Sequence, residues 1–216
     1  MYAPAHHAVT DLAVLHALIR ARPLGTWVTQ GEGELIANHV PFLLDENRGE
    51  HGTLVAHVAR ANPMWRSFSK SVASVVIFQG AQTYITPSWY ASKREHGKVV
   101  PTWNYAVVHA HGMPRAIEDR NWLLALVSRL TKTHEAARAQ PWQVSDAPAD
   151  FIDRQLQAIV GIEIPITRLV GKWKVSQNRP AADRLGVVAG LLERDEAEST
   201  EMAALVQRHV DAGANG

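Results

Sequence analysis

Residues 24–44 read LGTWVTQGEGELIANHVPFLL, and this stretch decides the fold class. LGTWVTQ (24–30) has strand composition, GEGE (31–34) supplies a glycine turn, and LIANHVPFLL (35–44) resumes as the returning partner, which predicts a β-hairpin. Pro41 has no N–H to give to a ladder, so the returning strand belongs at an edge or on a bulge. Upstream, Leu12, Leu15, Leu18 and Ile19 recur at helical spacing between Thr10, a candidate cap, and Arg22, with Pro23 as the stop. Downstream, the polar turn DENRGEHG (45–52) leads into TLVAHVAR (53–60), a strand with Leu54, Ala56 and Val58 on one face and Val55, His57 and Ala59 on the other. ANP (61–63) ends it, and PMWRSFSK predicts one short helix with Pro63 at its first position.

Further along, SVVIFQGAQTYITP (74–87) predicts two strands around Gly80. A polar loop runs through Lys98, and residues 99–118 are strand-like with an interruption near Gly112. Residues 119–139 form the clearest amphipathic helix, with Trp122, Leu123, Leu126, Val127 and Leu130 in one stripe. PADFIDRQLQAIVG predicts another helix, GIEIPITRLVGKWK (161–174) returns to strand, and the chain after Pro180 is helical, ending in a polar DAGANG tail expected to fray. Strands interspersed with single helices, without regular βαβ alternation, predict an antiparallel α+β fold built on a small barrel.

Composition narrows the chemistry. The chain has 216 residues, 46% of them hydrophobic, and no cysteine, so disulfide frameworks, Cys-ligated zinc and thiolate nucleophiles are excluded and a reducing cytoplasm is the expected setting. The start, MYAPAHHAVTD, lacks a basic and then apolar leader pattern, and no window approaches the roughly 18 consecutive apolar residues of a membrane span, which predicts a soluble, unprocessed chain. A net charge of +1 is too small to drive DNA binding, which would need a local patch.

Neither phosphate-loop nor dinucleotide glycine signatures occur, and G-x-S-x-G and H-E-x-x-H are absent too; His134-Glu135 has no second histidine four residues on. His109 and His111 share one strand face, but two histidines without a third ligand equally line a polar pocket or face solvent. A more specific constellation places His57, Arg60 and Asn62 where a strand gives way to a short helix, offering N–H groups and a guanidinium to a phosphate; a strand-end arginine held by a carboxylate has the same pattern. PSWYASKREHGKVVPTWNY (87–105) interleaves Trp89, Tyr90, Trp103 and Tyr105 with Lys93, Arg94 and Lys98, a mixture suited to a flat anionic ligand, although tryptophan equally serves as plain core.

The motifs MYAPAHH, PFLLD, GTLVAHVARANPMW, ITPSWYASK, GKVVPTWNY, LTKTHE, PW-x-V-x-DAP-x-DFI, AIVGIEI and GKWKVSQNR, in this order, closely resemble the PaiB family of FMN-binding negative transcriptional regulators. The resemblance runs from Met1 to about Leu191, implying one split-barrel domain with added helices over residues 1–191 and a polar helical tail over 192–216. It implies an antiparallel split β-barrel of the FMN-binding and flavin-reductase type, with peripheral helices, whose homodimer holds FMN in clefts between subunits. His7 departs from the family's usual Phe, a difference assigned to an N-terminal packing contact.

By the same resemblance the cofactor-binding residues are Asn38, His39, His57, Arg60 and Asn62, then Trp89, Lys98 and Trp103, and finally Lys172, Trp173, Lys174, Gln177, Asn178 and Arg179. Ala61-Asn62 follows Arg60 where the oxidase group carries a second cation, so FMN is expected to be weakly held or absent as purified. GKWKVSQNR, with Arg184 close behind, is the densest basic and aromatic cluster, able to close a flavin cleft, touch DNA phosphates or form a solvated strand edge. Negative regulation of transcription rests on the resemblance, since no helix-turn-helix pattern is visible. A flavin-dependent oxidoreductase on the same fold, or a haem- or other ligand-binding protein using His109, His111 or His134, stands beside it.

Overall fold

A computed structural model describes the backbone of residues 1–31 and 33–214, with side chains as far as residue 210. Among these residues the strands are β1 (Ala8–Val9), β2 (Leu24–Gln30), β3 (Leu35–Pro41), β4 (Leu43–Asp45), β5 (Thr53–Ala59), β6 (Ser74–Ile85), β7 (Thr102–Gly112), β8 (Arg115–Ile117) and β9 (Ile159–Lys174). The helices are α1 (Leu12–Ala21), α2 (Met64–Ser67), α3 (Ala91–Glu95), α4 (Arg120–Glu135), α5 (Ala149–Gln157), α6 (Ala181–Leu192) and α7 (Ala197–Ala214). Hydrogen bonding orders the strands β3-β2-β6-β7-β9-β5-β4, with β1 and β8 also paired to β9. The β1–β9, β2–β3, β2–β6, β4–β5, β5–β9 and β8–β9 ladders are all antiparallel. No helix among the described residues is long and apolar enough to cross a membrane.

The expected hairpin is present, with Leu24 opposite Pro41 and Gln30 opposite Leu35. Gly31 N–H donates to the Glu34 carbonyl at 2.8 Å to close its turn, whose Glu32 lies outside the described residues. β3 ends the strand order, so Pro41 sits on an edge as its missing N–H requires. Residues 35–44 nevertheless make two strands rather than one, because Phe42 leaves the ladder, turns into the core and donates its N–H to the Pro23 carbonyl at 2.9 Å.

Other local expectations change in informative ways. Asp11, not Thr10, caps α1, its carboxylate accepting from Ala13 N–H at 2.9 Å. Pro63 takes the N-cap of α2 rather than its first turn. β6 runs unbroken through Gly80, where a Cβ would lie 2.9 Å from Leu18 Cδ1 and 3.2 Å from Ala106 Cβ; that glycine answers to close packing. The polar loop before β7 contains α3. α7 is helical to Ala214, and the last two residues of the tail expected to fray lie outside the described residues.

The chain divides into two compact units. The first comprises residues 1–18, 79–108 and 170–216, and buries Leu15, Ile85, Tyr90, Val175, Val187, Leu191, Met202 and Val206. The second comprises residues 19–78 and 109–169, with Trp27, Phe42, Phe78, Leu54, Leu123, Ile162 and Ile164 fully buried. There the Phe42 and Phe78 rings meet edge-on at 6.0 Å, a favoured aromatic geometry. β5 is buried on both faces, so its sequence alternation does not translate into a wet side.

Candidate functional site

The first unit gathers most of the basic and aromatic candidates. Lys172 and Lys174 are two residues apart on β9 and so share a face, while Trp173 between them points inward and is only 6% exposed. Lys172 Nζ lies 5.3 Å from the Tyr105 ring centroid and 5.7 Å from that of Tyr2. Lys174 Nζ donates to the Thr102 hydroxyl. Neither ammonium has a carboxylate partner among the described residues, which leaves both charges uncompensated.

β1 pairs Ala8 with Lys172, and this brings the N-terminal segment alongside. Val175 N–H donates to Gln177 Oε1 at 2.8 Å, and Gln177 Nε2 donates to the Trp173 carbonyl. Oε1 is therefore an acceptor, and His7, whose Nδ1 lies 3.0 Å from it, carries its proton on Nδ1. Burial holds the His7 imidazole below its usual range, and His6, Lys172 and Lys174 push it the same way, so it remains neutral beside the lysines. His7 thus touches the GKWKVSQNR motif rather than making an N-terminal packing contact alone.

Beyond the lysines, Ser176 has φ +63°, and Asn104 Nδ2 donates to its hydroxyl at 2.9 Å across a fully buried contact. Asn178 is exposed with no side-chain partner among the described residues. The Arg179 guanidinium stacks 4.6 Å over the Tyr90 ring, and Arg184 Nη1 donates to the Arg179 carbonyl at 2.7 Å, so both of these half-buried cations are engaged within the chain.

Among the remaining first-unit candidates the two tryptophans have partners within the chain, and the Lys98 ammonium has none among the described residues. Trp89 packs on α6 so closely that a Cβ at Gly190 would fall 2.2 Å from its Cε2, and Arg194 stacks on the indole at 4.6 Å. Trp103 is 49% exposed, donates to Gln82 Oε1 at 2.6 Å and meets Tyr84 edge-on at 6.2 Å. Lys98 is exposed, its backbone N–H donating to His96 Nδ1.

In the second unit Asn62 Nδ2 donates to Asn38 Oδ1 at 2.9 Å, and Asn62 Oδ1 accepts from Met64 N–H. His39, next along the strand from Asn38, points to the opposite face and is exposed. Arg60 is engaged within the chain: Nη1 pairs with Glu118, Nε donates to the Gln157 carbonyl at 2.7 Å and Nη2 to the Ile159 carbonyl at 3.1 Å. Trp65 donates its indole N–H to the Arg60 carbonyl, and the Arg66 guanidinium lies 4.3 Å over its ring. His57 has a buried Nδ1 without a hydrogen-bond partner among the described residues, and burial pushes its pKa down.

His109 and His111 have ring centroids 6.3 Å apart, and Arg168 Nη2 lies 3.2 Å from the His111 ring nitrogens. Burial, then Arg168 and His109, lower the His111 pKa to about 4. Among the described residues no third ligand joins the pair to form a metal cluster.

Tyr2, Thr102 and Asn104 complete the lysine cluster and were not among the residues picked from sequence. The signal for them in the sequence is their presence in the motifs MYAPAHH and VPTWNY.

Comparison with known proteins identifies the family. Residues 1–168 match the FMN_bind_2 family, described as "Putative FMN-binding domain", and the chain belongs to that family. It is 31% identical over 207 residues to the protease synthase and sporulation protein PAI 2 of Bacillus subtilis, covering 96% of this chain and 97% of that protein, which accords with the PaiB resemblance. An uncharacterised protein of Emericella nidulans is 34% identical, covering 88% of this chain and 90% of that protein. Among solved structures, the FAD and heme binding protein of Mycobacterium smegmatis superposes with TM-score 0.57 at 15% identity, covering 77% of this chain and 73% of that one. The flavocytochrome Anf3 of Azotobacter vinelandii gives 0.56 at 13% identity, covering 77% and 69%. The fold is thus an antiparallel α+β split barrel with peripheral helices.

Proposed function

We propose that this protein binds FMN, with Lys172 and Lys174 meeting the phosphate, and that it acts as a homodimeric cytoplasmic regulator of the PaiB type, repressing transcription. The observation that carries the reading is the pair of ammonium groups on one face of β9, without carboxylate partners among the described residues and backed by the Tyr2 and Tyr105 rings. The donor set fits the group. A phosphate needs uncompensated cations, a planar ring system suits aromatic walls, and the free Asn178 amide offers directional hydrogen bonds.

Lysines act as point charges rather than as a bidentate fork, so FMN should be held weakly and leave during purification. When bound, FMN supplies redox chemistry; the chain's part is to hold the phosphate and present hydrogen-bond donors. The regulatory role draws its support from the PaiB resemblance and from the relative named protease synthase and sporulation protein PAI 2.

Titration of FMN and riboflavin by flavin fluorescence tests this. Lys172→Ala/Lys174→Ala should weaken FMN about tenfold or more while hardly affecting riboflavin, which lacks the phosphate. Arg60→Ala, whose guanidinium is already held by Glu118 and two carbonyls, should change neither. Equal FMN affinity in wild type and the double variant would remove the lysines from the site.

A further inference from the structure

LTKTHE, one of the motifs that carries the family resemblance, has no part in the flavin reading, yet it lines a cavity. α4 presents Arg129, Lys132 and Thr133 at helical spacings of three and four, so they share a face. That face, with His134, overlooks the place where the chain leaves β3 and enters β4. Phe42 turns inward there, and Leu43 and Leu44 remain half-buried. Ile19 and Arg20 from the end of α1 complete the lining of a half-open cavity of about 280 Å³.

The lining is lopsided in charge. Arg20, Arg129, Lys132 and His134 are its ionisable groups, and it contains no carboxylate. Arg20 and Arg129 are neutralised from outside by Glu46 and Asp45. Lys132 has no ionic partner among the described residues, and its neighbour Glu135 is turned to Arg138 at 3.0 Å and to Trp142 N–H at 3.2 Å. One positive charge therefore stands uncompensated over an apolar floor in which Ile19 and Phe42 are each 1% exposed.

We propose that this cavity is a second ligand site, distinct in its residues from the lysine cluster on β9, and that it takes a small monocarboxylate with an aliphatic body. A single anionic head answers the free ammonium, and the Ile19, Phe42 and Leu44 surfaces reward a hydrocarbon chain by the usual apolar burial. Size limits the occupant. At roughly 30 Å³ per small group, the share of a water molecule in the liquid, the cavity holds on the order of ten heavy atoms, far fewer than a flavin nucleotide carries.

Calorimetric titration of the full chain with sodium octanoate tests the site, with octanamide as the uncharged counterpart and acetate as the chainless one. Octanoate should bind, and octanamide and acetate should be weaker by about tenfold or more. Lys132→Gln should weaken octanoate by a similar factor and Lys132→Arg should retain it, while neither changes FMN titration. Equal binding of octanamide and octanoate, indifference to Lys132→Gln, or displacement of octanoate by stoichiometric FMN would each overturn the proposal. Because FMN is titrated separately, loss of the β9 phosphate reading would leave this result standing, and the reverse holds too.

Discussion

Removing the Asp183 carboxylate should destabilise the first unit by about 3 kcal/mol, and the structure supplies the terms. Asp183 lies in the first turn of α6 and is 1% exposed. One of its oxygens accepts from Ser92 N–H at 2.9 Å, and the Ser92 hydroxyl lies within 2.9 and 2.8 Å of the two oxygens. A hydroxyl has one proton, so the clamp amounts to one backbone and one side-chain hydrogen bond, both to a charged acceptor. Asp183→Ala deletes both and strands two buried donors on α3, each costing about 1–3 kcal/mol, partly offset by no longer burying a carboxylate. Ser92→Ala forfeits only the hydroxyl bond, for about 1–2 kcal/mol. With both replaced, one orphaned donor has gone, so the double variant should fall short of the sum by about 1 kcal/mol or more. Urea unfolding followed by tryptophan fluorescence measures all three, with a shift in midpoint at constant slope as the signature. A loss below about 1 kcal/mol for Asp183→Ala, or strict additivity with Ser92→Ala, would refute the clamp. The consequence reaches function, since Ser92 and Asp183 tie α3 to the helix on which Trp89 packs, next to Tyr90 and Arg179.

Two further outcomes are expected. The folded-state pKa of His111 is depressed to about 4 from 6.5, so between these values the unfolded chain binds a proton the folded one refuses; stability should fall as pH drops through this window and level off below it, by less than the shift alone implies because water screens this partly exposed ring. Unfolding midpoints at pH 7, 5.5 and 4 should show a smaller acid loss in His111→Asn than in wild type, and an unchanged loss would contradict the assignment. Direct DNA binding should be weak, because Arg179 and Arg184 are engaged within the chain and leave Lys172 and Lys174 as the patch. A dimer would then show a log–log salt slope of about −3.6, at about −0.9 per phosphate, and a steeper, sequence-selective response in anisotropy titrations would count against this.

The strand-rich half of the protein was legible because its signals are local. In residues 24–44 a glycine turn separates two runs of strand formers, and the ladder from Leu24–Pro41 to Gln30–Leu35 follows without reference to anything distant. The shared face of Lys172 and Lys174 was equally readable, since strand geometry alone puts alternate residues on one side. Family membership was carried by long motifs in a fixed order, and those are one-dimensional by nature.

What the line of residues could not convey is which group answers which. Gly80 looks like a strand break until Leu18 and Ala106 are seen to need the space a Cβ would fill. Arg60 reads as a phosphate ligand, and the groups its guanidinium meets within the chain, Glu118 and the carbonyls of Gln157 and Ile159, are remote in sequence. Seven tryptophans look alike as letters, yet Trp27 is wholly buried, Trp89 is pressed on α6, Trp173 faces the core and Trp103 meets solvent. Period and propensity are properties of neighbours along the backbone. Compensation of a charge, closeness of packing and exclusion of water depend on side chains brought together from distant stretches, and folding in three dimensions is what selects them.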